Sequence, residues 1–268
     1  MYITNLQRGI DVNKRNQQLV AAVVLFLIAL VLSYYSTQER EEVKETDIML
    51  VLDTSGSMGD PGQKGTKLDD AKESATEFLR IVHPEFRVGL VTFEDFASLE
   101  SPLSTNRNDL ISDVEKMTEG GKTALGDAIA LAANHLKSKG GQGASKYIVL
   151  MTDGMQTIIN NYDWPKATEI AFSNDVVIYT IGFGSDAAVG DLENIAAKTG
   201  GKYLFAASGS QLVQSFVVVA TEISRNTGYY YGSRSLIVVA VFLIIFLPTI
   251  VKTGKMAVDT MKEKFMKV

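Results

Sequence analysis

Three oxygen-bearing side chains occupy alternate positions directly after an apolar run near residue 50. Asp53, Ser55 and Ser57 end the segment DIMLVLDTSGS, and a second apolar run, KYIVLMTD, ends at Asp153. Thr123 adds another hydroxyl group just ahead of an alanine-rich segment. Carboxylate and hydroxyl oxygens are hard ligands, which suit Mg²⁺, Mn²⁺ or Ca²⁺ better than zinc or copper. These five residues therefore predict one site for a divalent cation.

The charge of this ligand set predicts what else the cation binds. Only Asp53 and Asp153 are charged, so the other three ligands contribute hydroxyl dipoles alone. A sixth coordination position stays open for an outside ligand, and a carboxylate from a partner protein is the most natural one. The pattern predicts a protein-binding site in which the metal ion joins the two proteins.

The elements that carry these residues alternate between apolar strands and amphipathic helices. Apolar strands of this kind are typical of a parallel sheet covered on both faces. The sequence thus predicts a doubly wound, mostly parallel α/β sheet flanked by helices, and in such sheets ligands bind beyond the carboxyl ends of the strands. Strands are predicted at 47–53, 86–93, 146–153, 175–184 and 201–206, and helices at 68–82, 123–139, 165–174, 189–198 and 210–226.

Two uncharged apolar runs flank this predicted domain, Leu19 to Tyr35 and Ser235 to Val251. Each has about the minimum length of a transmembrane helix, roughly 17 to 25 residues. No small-residue cleavage site follows the first run, so we interpret it as a retained anchor and not as a signal peptide. The predicted organisation is an N-terminal segment 1–18, a transmembrane helix 19–35, a linker 36–46, the α/β domain 47–228, a transmembrane helix 233–251 and an amphipathic tail 252–268.

The positive charges predict how these helices are oriented. Eight lysines and arginines lie before the first run or after the second, against four on the sides that face the domain. Because positive residues concentrate on the cytoplasmic side, both termini are predicted in the cytoplasm. The domain is then predicted to lie outside the inner membrane, in the periplasm or its equivalent.

Composition excludes several other classes of site. The chain has no cysteine, which rules out a thiolate metal site, and its net charge of −5 argues against nucleic acid as a partner. The stretch GDPGQKGT lacks the Gly-Lys-Ser/Thr order of a phosphate-binding loop. Gly56-Ser57-Met58-Gly59 misses the spacing of a serine hydrolase nucleophile. We therefore expect no enzyme activity.

Three segments, DTSGSM, KTALGDAI and MTDG, resemble the von Willebrand A domains of integrins and their bacterial relatives. Those domains carry a metal-ion-dependent adhesion site written D-x-S-x-S, then Thr, then Asp. All five positions match in order, and the resemblance implies that they are the metal ligands: Asp53, Ser55, Ser57, Thr123 and Asp153.

The chain looks most similar to the bacterial, membrane-anchored group linked to aerotolerance operons. Members of that group often work beside MoxR-type AAA+ ATPases, so the resemblance implies such a system as a partner. Two features differ from the group. Only one apolar helix is predicted before the domain, and Lys122 stands before Thr123 where glycine is common. A cation at this position could weaken metal binding or steer an acidic partner.

Two other functions remain open from the sequence. The same metal site could serve a membrane-tethered phosphohydrolase, although the sequence offers no further general base or nucleophile beside it. Alternatively, the chain could be a structural subunit whose partners contact its transmembrane helices, with the metal site secondary.

The predicted topology can be tested with single cysteines, because the natural chain has none. We expect a membrane-impermeant maleimide to label Asn106→Cys in spheroplasts, because residue 106 belongs to the outer domain. Lys262→Cys should stay unlabelled until the membrane is permeabilised. The reverse pattern would contradict the predicted orientation of both helices.

Overall fold

The computed structural model describes residues 44–227. Both predicted transmembrane helices, 19–35 and 233–251, lie outside these residues, as do the segment 1–18 and the tail 252–268. Between residues 44 and 227, no helix is long and apolar enough to cross a membrane.

A single sheet of six strands forms the centre of the described domain. The strands are β1 Thr46–Asp53, β2 Arg87–Phe93, β3 Ala97–Ser104, β4 Ser145–Thr152, β5 Val176–Phe183 and β6 Tyr203–Ala206. The strand order is β3-β2-β1-β4-β5-β6, and all neighbouring strands are parallel except β2 and β3. The prediction of a mostly parallel α/β sheet is therefore confirmed.

Helices cover both faces of the sheet, which explains why the central strands are apolar throughout. Alternate residues of β1 belong to two different buried clusters: Leu50 packs in one with Phe78 and Phe216, and Val51 packs in the other with Ile129. The helices are α1 Lys67–Ile81, α2 Arg107–Glu115, α3 Leu125–Lys139, α4 Trp164–Ser173, α5 Val189–Thr199 and α6 Gly209–Asn226. The first face is covered by α1, α2 and α6, and the second by α3, α4 and α5.

Two elements, β3 and α2, are not predicted from the sequence. The segment ASLESPLS of β3 is mostly exposed and contains Pro102, so it lacks the apolar alternation of a core strand. It is an antiparallel edge strand with irregular register against β2, a place where polar residues and proline are tolerated. Helix α2 is short and buries only Leu110 and Val114.

The strand order places a topological switch point between β1 and β4. Chain connections run outward from β1 to β2 and β3 on one side, and from β4 to β5 and β6 on the other. At such a point, the loops that leave neighbouring strands diverge, which opens a crevice at the carboxyl edge of the sheet. Asp53 ends β1 and Asp153 follows β4, so both face this crevice.

Candidate metal centre

Asp53 is the most enclosed member of the predicted ligand set. It is fully buried, and one carboxylate oxygen accepts a hydrogen bond from the Ser55 backbone N–H at 2.8 Å. The other oxygen accepts a hydrogen bond from the Thr152 hydroxyl. Burial raises the pKa of Asp53 from 3.8 to about 6, against the hydrogen bonds from Ser55 and Thr152, which lower it. The protein therefore holds a carboxylate here at an energetic cost.

A chain of hydroxyl groups connects the first loop to the second carboxylate. The Ser55 and Ser57 hydroxyl oxygens lie 3.2 Å apart, and the Ser57 hydroxyl donates to Asp153 Oδ1 at 2.7 Å. A short 3-10 turn, Gly56–Gly59, brings Ser57 back over the strand ends, and the buried Met58 anchors that turn in the core. Asp53, Ser55, Ser57 and Asp153 are thus brought into one cluster.

Thr123, the fifth predicted ligand, lies on the adjoining loop. That loop is joined to the first one by two backbone hydrogen bonds, Gly56 N–H to the Gly121 carbonyl at 3.1 Å and Gly120 N–H to the Thr54 carbonyl at 2.9 Å. Thr123 is buried, but in the described part of the chain its hydroxyl makes no hydrogen bond to the other four residues. The structure places Thr123 beside the cluster and does not connect it directly.

Lys122, which stands where the resemblance leads us to expect glycine, is exposed on the same loop. Its backbone N–H donates to Asp95 Oδ1 at 3.0 Å. Asp95 follows β2, so this contact fixes the threonine loop against the turn between β2 and β3. The position of residue 122 is therefore set by its backbone, which any non-proline residue there could supply.

Lys67 is a member of the site that the sequence does not predict. Its Nζ atom lies 2.7 Å from Asp153 Oδ2 and 3.5 Å from Asp60 Oδ2, and its side chain is 15% exposed. Burial lowers the pKa of Lys67, but the hydrogen bond and charge of Asp153 outweigh this and raise it above the ordinary value. A tethered ammonium group thus neutralises one of the two carboxylates.

The position of Lys67 follows from the way α1 begins. Thr66 caps the helix in a reciprocal capping box with Asp69, which makes Lys67 the first helical residue, beside the carboxyl edge of the sheet. Asp153 is 86 residues further along the chain. The capping box is visible in the sequence, but only the fold reveals the contact between the two side chains.

Asp127 fixes the loop that follows Asp153. Its nearly buried carboxylate accepts backbone hydrogen bonds from Asn160 at 3.1 Å, Asn161 at 3.0 Å and Tyr162 at 3.1 Å. At Gly126 the loop passes so close to α3 that a Cβ atom would lie 2.3 Å from the Tyr162 carbonyl oxygen. This loop is therefore held rigidly beside the candidate metal centre.

The cluster has the chemistry that a hard divalent cation requires. Its four connected residues present carboxylate and hydroxyl oxygens at one edge of the sheet, and the Lys67 ammonium already acts as a cation on Asp153. Within residues 44–227, no three His, Cys, Asp or Glu side chains form a metal-binding group. An ion bound at this edge would thus rely on hydroxyl ligands as well as on the two aspartates.

The fold agrees with a comparison to known families. The family model for the von Willebrand factor type A domain matches residues 47–217, and the chain belongs to this family. It is 28% identical over 204 residues to a UPF0353 protein from Mycolicibacterium gilvum. That alignment covers 67% of this chain and 61% of the relative, so the chain spans less than two thirds of the relative's length.

Two solved structures have the same fold at low sequence identity. An aerotolerance-related membrane protein from Bacteroides fragilis aligns with a TM-score of 0.56 and 18% identity, over 66% of this chain and 99% of that one. Proximal thread matrix protein 1 from the mussel byssus, in a form with a zinc-occupied MIDAS motif, aligns with a TM-score of 0.57 and 21% identity. This alignment covers 66% of this chain and 47% of that one. MIDAS denotes a metal-ion-dependent adhesion site.

Removal of the Asp127 carboxylate should destabilise the loop beside the site. Asp127→Ala leaves three backbone N–H groups without their charged acceptor, which should lower the free energy of unfolding by about 2–4 kcal/mol. Urea denaturation of the purified protein, followed by the fluorescence of Trp164, measures this change, because the chain has one tryptophan.

Asp191→Ala is the matched control for this variant. Asp191 occupies the third position of α5, as Asp127 does in α3, but its carboxylate accepts no loop amide in the described structure. We expect a change below about 1 kcal/mol for the control. If both variants were destabilised equally, Asp127 would stabilise the protein only as an acidic residue in the first turn of its helix, and not by holding the loop.

Proposed function

We propose that this chain is a protein-binding module that holds its partner through a divalent cation. Membership of the von Willebrand A family supports the role of an interaction module. The observation that carries the metal-dependent part is the continuous cluster at the switch point, in which Ser57 bonds both to Ser55 and to Asp153. We assign the cation to Asp53, Ser55, Ser57, Thr123 and Asp153, with Mg²⁺ first and Mn²⁺ or Ca²⁺ as alternatives.

The charges of the site support a carboxylate as the partner's ligand. Asp53 and Asp153 together match the charge of one dication, but Lys67 adds a further positive charge next to Asp153. Because Lys67 pairs with Asp153, the two carboxylates do not fully neutralise a bound cation, although Asp60 shares the Lys67 charge from 3.5 Å. An acidic side chain of a partner would complete the neutralisation. Such a ligand would be desolvated at the metal, where charge complementarity strengthens specificity most.

We further propose that the domain is anchored to the cell membrane by helices 19–35 and 233–251. The fold is shared with an aerotolerance-related membrane protein, and the two apolar runs support the same placement for this chain. The domain would lie outside the cytoplasm, and both termini inside it. A MoxR-type AAA+ ATPase system is proposed as a functional partner on the basis of the family resemblance.

The two alternatives have weaker support from the described residues. A phosphohydrolase needs a nucleophile or a general base beside the metal, and both carboxylates of the cluster are already engaged as proposed ligands. His83 and His135 do not belong to the cluster, since His83 follows α1 and His135 lies near the end of α3. The reading as a structural subunit depends on the predicted transmembrane helices, which lie outside the described residues.

Replacement of Asp53 should abolish metal binding and partner capture together. Asp53→Ala removes a formal charge and a ligand from the cation, so isothermal titration of the purified protein with Mg²⁺ should show no binding. Partners retained from solubilised membranes in Mg²⁺, identified by mass spectrometry, should be lost with EDTA and with Asp53→Ala.

Asp186→Ala is the control, because Asp186 is an exposed carboxylate on the loop after β5, at the same edge of the sheet. Asp186→Ala should keep both Mg²⁺ binding and partner capture. If the same partners were retained in EDTA and by Asp53→Ala, the metal ion would not join the two proteins, and the structural-subunit reading would take its place.

Removal of the Lys67 ammonium group should strengthen metal binding. In Lys67→Met, the cation no longer competes with an ammonium group 2.7 Å from Asp153. We expect the Mg²⁺ dissociation constant to fall about tenfold, which corresponds to about 1.4 kcal/mol. Lys64→Met is the control, because Lys64 is an exposed lysine on the loop just before α1 and pairs with Glu73; it should leave the affinity within about twofold. Weaker binding by Lys67→Met would contradict the competition.

A further inference from the structure

Three large apolar side chains are exposed on the loops around the candidate metal centre. Phe96 is 69% exposed, Met155 is 62% exposed and Ile159 is 61% exposed. We call these three residues the apolar rim. Exposed apolar groups that cluster beside a polar site are typical of protein interaction surfaces.

The rim residues come from two loops that contact each other. Phe96 lies in the turn between β2 and β3, where its carbonyl accepts a hydrogen bond from Glu94 N–H at 3.1 Å. The Asn160 side chain, next to Ile159, donates to the Asp95 carbonyl at 2.7 Å. Met155 lies two residues after Asp153. The rim therefore borders the crevice that contains the site.

These loops are fixed before any partner binds. The second loop is held by Asp127 through three backbone N–H groups, and Thr157 and Thr123 exchange two hydrogen bonds, at 2.9 Å and 3.1 Å. Because little conformational freedom is left to lose, apolar contacts to the rim would contribute to affinity at a low entropic cost.

Acidic side chains also border the centre, and one of them, Glu94, lies in the same turn as Phe96. Glu119 lies against Gly59, Glu94 lies against Gly120, and Asp60 accepts the ion pair from Lys67 at 3.5 Å. Additional acidic residues of a partner would be repelled there, as would the anionic headgroups of a membrane. This distribution favours a partner with a single carboxylate and apolar neighbours over an acidic stretch or a lipid surface.

We propose that the occupant of this face is a protein segment in which one Asp or Glu is flanked by bulky apolar residues. The carboxylate binds the proposed cation, and the flanking side chains pack on Phe96, Met155 and Ile159. This inference rests on the proposed metal-dependent function and specifies the chemistry of its partner.

The test uses a phage-displayed library of random nine-residue peptides, selected on the purified full-length protein in Mg²⁺. We expect enrichment of peptides that contain one Asp or Glu beside Leu, Ile, Phe or Met. The triple variant Phe96→Ser, Met155→Ser and Ile159→Ser should lose this enrichment by at least about tenfold while its Mg²⁺ affinity, measured by calorimetry, stays unchanged.

The control variant replaces two exposed apolar residues that lie on helices, Phe172 near the end of α4 and Val218 in α6. They are 57% and 47% exposed, and their replacement by serine should leave the enriched peptides unchanged. The inference would be overturned if wild type enriched polyacidic peptides. It would also be overturned if the rim variant enriched the same peptides as wild type.

Two further outcomes would assign the rim to another occupant and also overturn the inference. The first is binding of wild type, but not of the rim variant, to vesicles of phosphatidylglycerol and phosphatidylethanolamine. The second is a self-associated wild type that becomes monomeric in the rim variant. Failure of wild type to bind Mg²⁺ would instead refute the proposed function, so the two failures can be told apart.

Discussion

The described domain is organised around the close approach of two buried carboxylates at the switch point of its sheet. Asp53 and Asp153 are both almost fully enclosed, and their mutual repulsion adds to the burial that raises the pKa of Asp53. Burial of like charges is tolerated only when hydrogen bonds or cations compensate for it. Here the Thr152 and Ser57 hydroxyl groups and the Lys67 ammonium supply that compensation. The loop after β1 and the start of α1 take their positions from this requirement.

Two further buried carboxylates hold the loops on either side of the centre. Asp127 fastens the loop after β4, and Asp70 accepts hydrogen bonds from the backbone of Gln63 at 2.7 Å and Lys64 at 3.1 Å. Asp70 lies in the first turn of α1, where an acidic side chain is usually solvated, but here it is fully buried. Its carboxylate also contacts the start of α6, where a Cβ atom on Gly209 would lie 2.5 Å from Asp70 Cγ. The site is thus positioned by side chains that do not belong to it.

The sequence predicts those parts of the site that depend on local order along the chain. Apolar runs identify β1 and β4, so the sequence places Asp53, Ser55, Ser57 and Asp153 at or just after the ends of these strands. Their role as metal ligands stays a prediction. Lys67 and Asp127 are missed because their partners lie 86 and about 33 to 35 residues away and their own surroundings resemble those of any helix start. Strand β3 is missed for a different reason: an edge strand need not be apolar, so it leaves no periodic pattern.

The chain enters and leaves the described domain at the edge of the sheet opposite the candidate centre. Strand β1 begins there at Thr46, and α6 starts at the carboxyl edge after β6 and runs back across the sheet. Near its end, Asn226 donates to the Tyr179 hydroxyl at 3.2 Å. A partner can therefore reach the carboxyl edge without contacting either end of the described chain. The rigid loops, the acidic side chains and the apolar rim all lie at the carboxyl edge, so the described domain presents its chemically specialised surface away from both of its described ends.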